Sequence, residues 1–239
     1  MFNFKIVDVI KLLNDNQGII SIAIFIITLL LGWISGIFSA LQKKPKFKID
    51  LIDGPSFCCT FNTGKECFGH DVHTTAFSLY LNISNIGSAP SSIQKIYIGY
   101  HWDLEPFSIN WLKYKIGWFW LKHETVISED FRVDIGNDNV KIFPFLTQKN
   151  SLLPMQVDKF LNIGKAVNGI VYFEQPESWG AQYPLYLNGK VKIKVKVFDV
   201  FGKSHSNKLK INLLNLEQAS KFNPAFGSTH SSLARLKHE

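Results

Sequence analysis

Two periodicities divide this chain. From Gly18 to Leu41 the sequence carries no charge and no proline, and runs through Ile, Leu, Phe and Ala almost without interruption. A helix of that length rises about 36 Å, enough to cross about 30 Å of hydrocarbon with some tilt. The basic run Lys43-Lys44-Pro45-Lys46-Phe47-Lys48 follows, as at a membrane boundary. The pattern predicts a transmembrane helix over 18–41 and a basic junction over 42–48. A cleavable signal sequence has a basic start and an apolar stretch of only about 7–15 residues. Here the stretch is longer and a mixed segment, 1–17, precedes it. In that segment Ile6, Val9, Ile10 and Leu13 fall at helical spacing, predicting a short amphipathic segment that either lies in the interface or extends the helix.

Beyond Phe47 the spacing changes from helical to alternating. Phe77, Leu79, Leu81 and Ile83 take one face of a strand, with Ser78, Tyr80, Asn82 and Ser84 on the other. Gly169 to Phe173 is a compact apolar run. Lys190 to Phe198 alternates regularly, Val191, Ile193, Val195 and Val197 against Lys190, Lys192, Lys194 and Lys196. Asp199-Val200-Phe201-Gly202-Lys203 reads as a hairpin loop, and Leu209, Ile211 and Leu213 as the returning strand. Short strands with Gly, Pro and Asn between them, and no long amphipathic helix, predict a mainly β domain over 49–216 built as a sandwich. Its segment 102–145 is less regular and rich in aromatic residues, with Leu112, Tyr114, Ile116, Trp118 and Trp120 expected on one strand face. The tail 217–239 reads as flexible, with Phe222 and Phe226 able to dock on the domain.

The segments LYLNISNIGSAPSSI, NGIVYFEQP and KVKIKVKVFDVFGK resemble strands of immunoglobulin-like or fibronectin-III-like sandwiches in small bacterial membrane-anchored proteins. The resemblance covers about 80–215 and brings no catalytic motif with it. The paired Cys…Trp…Cys core of antibody-type domains is missing. What the resemblance implies is a fold, not an activity.

Charge sets the expected orientation. Lys5, Lys11 and the terminal amine precede the helix, whereas Lys43, Lys44, Lys46 and Lys48 follow it, a bias that places the β domain in the cytoplasm beneath a plasma (inner) membrane. The three cysteines, Cys58, Cys59 and Cys67, do not alter that expectation: a reducing compartment keeps them as thiols, and an exporting one would allow a Cys59–Cys67 bridge. Within the apolar helix Thr28, Gly32, Gly36 and Ala40 recur every four residues. A stripe of small residues lets helices approach closely, so a homo-oligomer or a partner membrane helix is expected.

The net charge of +7 comes from 26 basic and 19 acidic residues, and only Arg132 and Arg235 among the bases are Arg. Arg forms the bidentate contacts to phosphate and guanine, so its scarcity argues against nucleic acid as a partner. If the two lysine-bearing strands pair, Lys190, Lys192, Lys194, Lys196, Lys208 and Lys210 share one basic face. That face either meets an anionic leaflet or acidic partner, or simply protects strand edges. Trp111, Trp118 and Trp120, with lysines interleaved, either touch the headgroup region or fill the domain core.

Candidate chemistry is sparse. Cys67, His70 and His73 form C-x2-H-x2-H, a spacing compatible with zinc ligation, but the second arm is only the Cys58-Cys59 dipeptide. The competing reading is a polar loop. No G-x-S-x-G, H-E-x-x-H, Walker or dinucleotide glycine pattern occurs. The expectation is therefore a non-catalytic, membrane-anchored interaction or sensor module without a cofactor, which binds an unidentified protein or small ligand. The alternatives are a ligand-triggered membrane-disrupting effector, as in bacterial defence, and an accessory subunit of an envelope complex.

Overall fold

The computed structural model describes residues 11, 14–37, 43–136, 139–152 and 157–227. It divides between Lys44 and Pro45 into two units. The first contains helix α1, Gln17–Ile34. None of its side chains is buried, so an uninterrupted apolar surface lies bare, which water does not tolerate. Its two hydroxyl side chains are satisfied internally: Ser21 donates to the Gln17 carbonyl and Thr28 to that of Ile24, both at 2.8 Å. By length and composition α1 can cross a membrane, and a signal sequence near an N-terminus meets the same description.

The helix is shorter than the apolar run that predicts it. Ser35 N–H still reaches the Leu31 carbonyl at 2.8 Å, but Gly36 takes φ +74° and turns its N–H to Trp33. Glycine enters this left-handed conformation without steric cost and so ends helices. Gly36 therefore lies past the end of α1 rather than inside it.

The second unit is mainly β. Its strands are β1 Phe47–Leu51, β2 Phe57–Cys67, β3 His70–Asn85, β4 Ser91–Tyr100, β5 Phe119–Leu121, β6 Arg132–Asp134, β7 Val140–Ile142, β8 Phe160–Leu161, β9 Ala166–Trp179, β10 Tyr186–Leu187, β11 Lys190–Asp199 and β12 Ser204–Leu214. A short helix α2, Leu216–Ser220, follows. Sixteen-residue β3 is the spine. Strand β9 pairs along one edge of it, while β2 and β1 share the other, β2 from His70 to Ser78 and β1 from Leu81 to Asn85. The sheet continues from β2 through a parallel contact to β12, then antiparallel to β11, β4 and β5.

This sheet curls over itself. Phe77 of β3 and Tyr100 of β4 are not sheet neighbours, yet their rings lie 4.7 Å apart. Between them lies the first core, where Leu79, Leu81 and Val171 meet Ile98, Ile193, Val195 and Val197. The alternation expected in β11 is observed, with its four apolar residues fully buried and its lysines outward. The adjacent cysteines point to opposite faces, as strand geometry requires: Cys58 enters the first core and Cys59 a second.

That second core changes the picture of β3. The outer face of β2, β3 and β9 is not left to solvent but covered by 127–146 and by the segment after β12. Phe131, Phe145 and Phe226 pack there on Phe57 and Tyr172. Ser78, predicted on a polar face, is fully buried and donates to the Pro55 carbonyl at 2.7 Å.

Two expectations are corrected. Residues 217–227 are folded rather than flexible. Asn215 and Gln218 form a reciprocal capping box on α2, and Ala219 and Phe226 are buried. Residues 228–239 lie outside the described residues. Second, Trp111–Ile116 is a π-helical turn, not a strand, so Leu112, Tyr114 and Ile116 do not share a strand face with Trp118 and Trp120.

Candidate functional site

The lysine-bearing strands do pair. Lys192 stands opposite Lys210 and Lys194 opposite Lys208, with Lys190 and Lys196 facing Asn212 and Ser206. All six lysines lie outside the first core. Like charges placed directly opposite oppose strand pairing, so the hairpin is held from elsewhere. Its loop is fastened by Asp199, which is fully buried and accepts from the N–H groups of Phe201 and Lys203 at 3.0 Å. His205 Nε2 donates to the same carboxylate at 2.9 Å, while His205 Nδ1 accepts from the Phe47 N–H at 3.3 Å.

Aromatic rings extend this surface. Strand β5 pairs with β4 so that Trp120 stands opposite Gly99, which in turn faces Lys194 of β11. A Cβ at Gly99 would come within 3.1 Å of the Trp120 ring, so glycine lets the indole lie flat across β4. The Lys196 ammonium then sits 4.0 Å from the centre of the Trp120 ring, and that of Lys194 lies 6.0 Å from Trp118. Contacts of this kind contribute about 0.5–1 kcal/mol each where water has access. The structure thus joins two features that were separate in the sequence, the basic face and the Trp118–Trp120 pair.

Beside this face lies a cavity of about 740 Å³, lined by His101, Lys115, Leu185, Tyr186, Leu187, Asn188, Lys190, Lys192 and Lys210. Its far wall is set by main-chain bonds, from Leu185 N–H to the His101 carbonyl at 2.7 Å and from Asp103 N–H to the Tyr183 carbonyl at 2.9 Å. Asn188 and Gly189, at φ +52° and +69°, turn β10 into β11 with a two-residue loop. Asn-Gly is the preferred pair for such a turn. That dipeptide is the signal for this wall in the sequence, and it is a turn signal rather than a periodic one.

His101 Nδ1 lies 2.7 Å from the Gly117 carbonyl, which can only accept, so this nitrogen carries the proton. Its ring centre lies 4.0 Å from that of Trp118, the two planes tilted by 39°. Burial lowers the pKa of the ring, the nearby Lys192 and Lys208 lower it further, and backbone carbonyl contacts oppose the shift. The neutral imidazole keeps its lone pair on Nε2. Lys115 is engaged, with Nζ 3.1 Å from Asp103 Oδ1 and 2.8 Å from the Leu104 carbonyl. Lys190, Lys192 and Lys210 form no ion pair among the described residues.

The remaining candidate residues are dispersed. Thr28 and Gly32 lie within α1, Gly36 lies past its end, and Ala40 falls outside the described residues. Lys43, Lys44, Lys46 and Lys48 are exposed, and Lys48 pairs with Asp50 at 2.9 Å. Trp111 is half-buried, 6.0 Å from the exposed Phe107 ring. The zinc reading of Cys67, His70 and His73 is not supported: among the described residues no group of three His, Cys, Asp or Glu is placed to hold a metal ion. Cys67 faces His70 across a tight turn, whereas His73 is buried at 1 % exposure with its ring stacked 3.9 Å from Tyr183. Its β9 register partner, Ser178, is likewise fully buried.

No protein-family model matches the chain, and a comparison with curated proteins finds no match.

Proposed function

We propose that this chain is a single-pass membrane-anchored, non-catalytic interaction or sensor module. In this reading α1 spans the plasma membrane and the β domain is an immunoglobulin-like sandwich on the cytoplasmic side. The chain self-associates through its helix, with Thr28 and Gly32 at the close approach. The observation that carries the reading is the continuous face made by the outward lysines of β11 and β12 with Trp118 and Trp120. Its cations, without an acidic partner among the described residues, and its half-buried rings suit recognition of an anionic partner better than acid–base or nucleophilic chemistry. Strands remote in the sheet, β3 and β4, share one core, which supports the sandwich. The excess of lysine after the apolar run supports the cytoplasmic side.

Carbonate extraction and thiol labelling test the proposal together. Cys58 and Cys59 are buried, and burial pushes the Cys59 thiol up to about 11, leaving Cys67 as the partly exposed thiol. The chain should stay with membranes in carbonate, and an impermeant maleimide should label Cys67 only after lysis. Extraction by carbonate would remove the anchor, and labelling of intact cells would move the domain outside.

A membrane-disrupting effector is the second reading. It draws on the apolar side chains of Phe107, Ile109, Leu112 and Ile116, all within ten residues of one another and 58 % exposed or more. Dye leakage from vesicles carrying the chain, abolished by Ile109→Asp, would favour it.

A further inference from the structure

We propose that the cavity between the β10–β11 hairpin and His101 binds a small phosphorylated ligand, which deepens the sensor reading above and rests on it. At about 740 Å³ the cavity falls within the range of small-molecule sites, about 300–1,000 Å³. Lys190, Lys192 and Lys210 reach it without an acidic partner among the described residues, and no acidic residue stands in its described lining. Lys192 and Lys210 are register partners across the hairpin, so their like charges repel. A dianion between them adds two attractions that outweigh this repulsion.

Charge bears on the class of anion. A carboxylate brings one negative charge to these three lysines, whereas a phosphoryl group brings nearly two near pH 7, with three acceptor oxygens. Lysine ammonium groups bind such a group as point charges. Leu185, Tyr186 and Leu187, which run into the hairpin beside the lysine-bearing strand, are largely apolar, so they accommodate an uncharged body attached to the phosphoryl group. Phosphate on a soluble metabolite and phosphate in a lipid headgroup share this chemistry. Concavity favours the soluble source, since a planar array of headgroups meets the lysine face without filling the cavity.

The test holds the full chain in phosphatidylcholine nanodiscs and titrates it with inorganic pyrophosphate, reading tryptophan fluorescence from the neighbourhood of Trp118. Expected is a saturable change that sodium chloride at matched ionic strength does not produce. The Lys192→Gln/Lys210→Gln double variant should bind about tenfold more weakly or worse, as loss of two charge-assisted contacts implies. The Lys192→Arg/Lys210→Arg variant, which keeps the charge, should retain most of the binding and shows that the positions tolerate change. Wild-type affinity in the Gln variant overturns the site. So does a fluorescence response to phosphatidylglycerol vesicles for which pyrophosphate does not compete, because it assigns the face to lipid. The anchoring experiment fails separately: a chain released by carbonate that still binds pyrophosphate loses its anchor and keeps its ligand class.

Discussion

Glu124 and Glu174 are carboxyl groups whose surroundings disfavour the charged form. Burial pushes both carboxyl groups up from the usual 4.5. Opposing this, the Thr147 hydroxyl donates to Glu124 and the Tyr172 hydroxyl donates to Glu174, the latter at 2.5 Å. Tyr172 is itself buried, and its own pKa is raised by burial and by the neighbouring carboxylate. A folded pKa above the unfolded one means that the folded state binds the proton more tightly. The resulting stability is present at and below the unfolded value and is lost as pH rises through the folded value. The lowered imidazoles of His73 and His101 act in the opposite sense, so the effect of Glu174 is read as a difference: in thermal melts the midpoint of Glu174→Gln should gain on that of the wild type between pH 5 and pH 8. An unchanged difference would mean that Glu174 is not the group responsible. Neither carboxylate was marked by the sequence, because Glu124 lies in irregular chain and Glu174 at the end of an apolar run. Only the cover over β9 buries them.

Among the elements, the segment after β12 departs furthest from expectation. Its composition is polar, and its order comes from two features of different range. The Asn215–Gln218 capping box is local and legible as a motif. The anchor is not local: Phe226 reaches Phe57, Phe131 and Tyr172, with ring centres 5.4 to 6.5 Å apart. Phe226→Ala should cost about 3 kcal/mol, as for a large aromatic side chain removed from a core. Urea denaturation would register this as a fall in the midpoint with the slope unchanged. A midpoint equal to wild type would show that the second core closes without this segment. The π-helical turn at Trp111–Ile116 makes the same point from the other direction. Apolar residues at alternate positions read there as a strand, but among the described residues no strand pairs with it: Gly117 N–H turns back to the Leu112 carbonyl, and the Tyr114 carbonyl accepts from Trp102 N–H.

At the scale of the whole molecule, the division at Lys44 predicts that residues 45–239 fold alone. Both cores lie entirely within this part. Expressed without the preceding residues, it should give native near-ultraviolet circular dichroism and a single cooperative melt. A product lacking fixed aromatic signals would tie the fold of the domain to the helix. What the sequence alone determined are the features set by partition between water and apolar surroundings over a few residues: the bare apolar helix, the alternating strands β3 and β11, the hairpin at Asp199 and the outward lysines. Periodicity encodes which side of an element avoids water, and that is a local property. Tertiary structure decided which elements are neighbours. It buried both faces of β3, carried Trp118 and Trp120 beside the lysines through the glycine at position 99, raised a cavity wall from 183–188 and drew His73 away from Cys67 and His70. Each depends on pairing between segments far apart in the chain, where the free energy lies in shared burial and register and no local spacing records the partner.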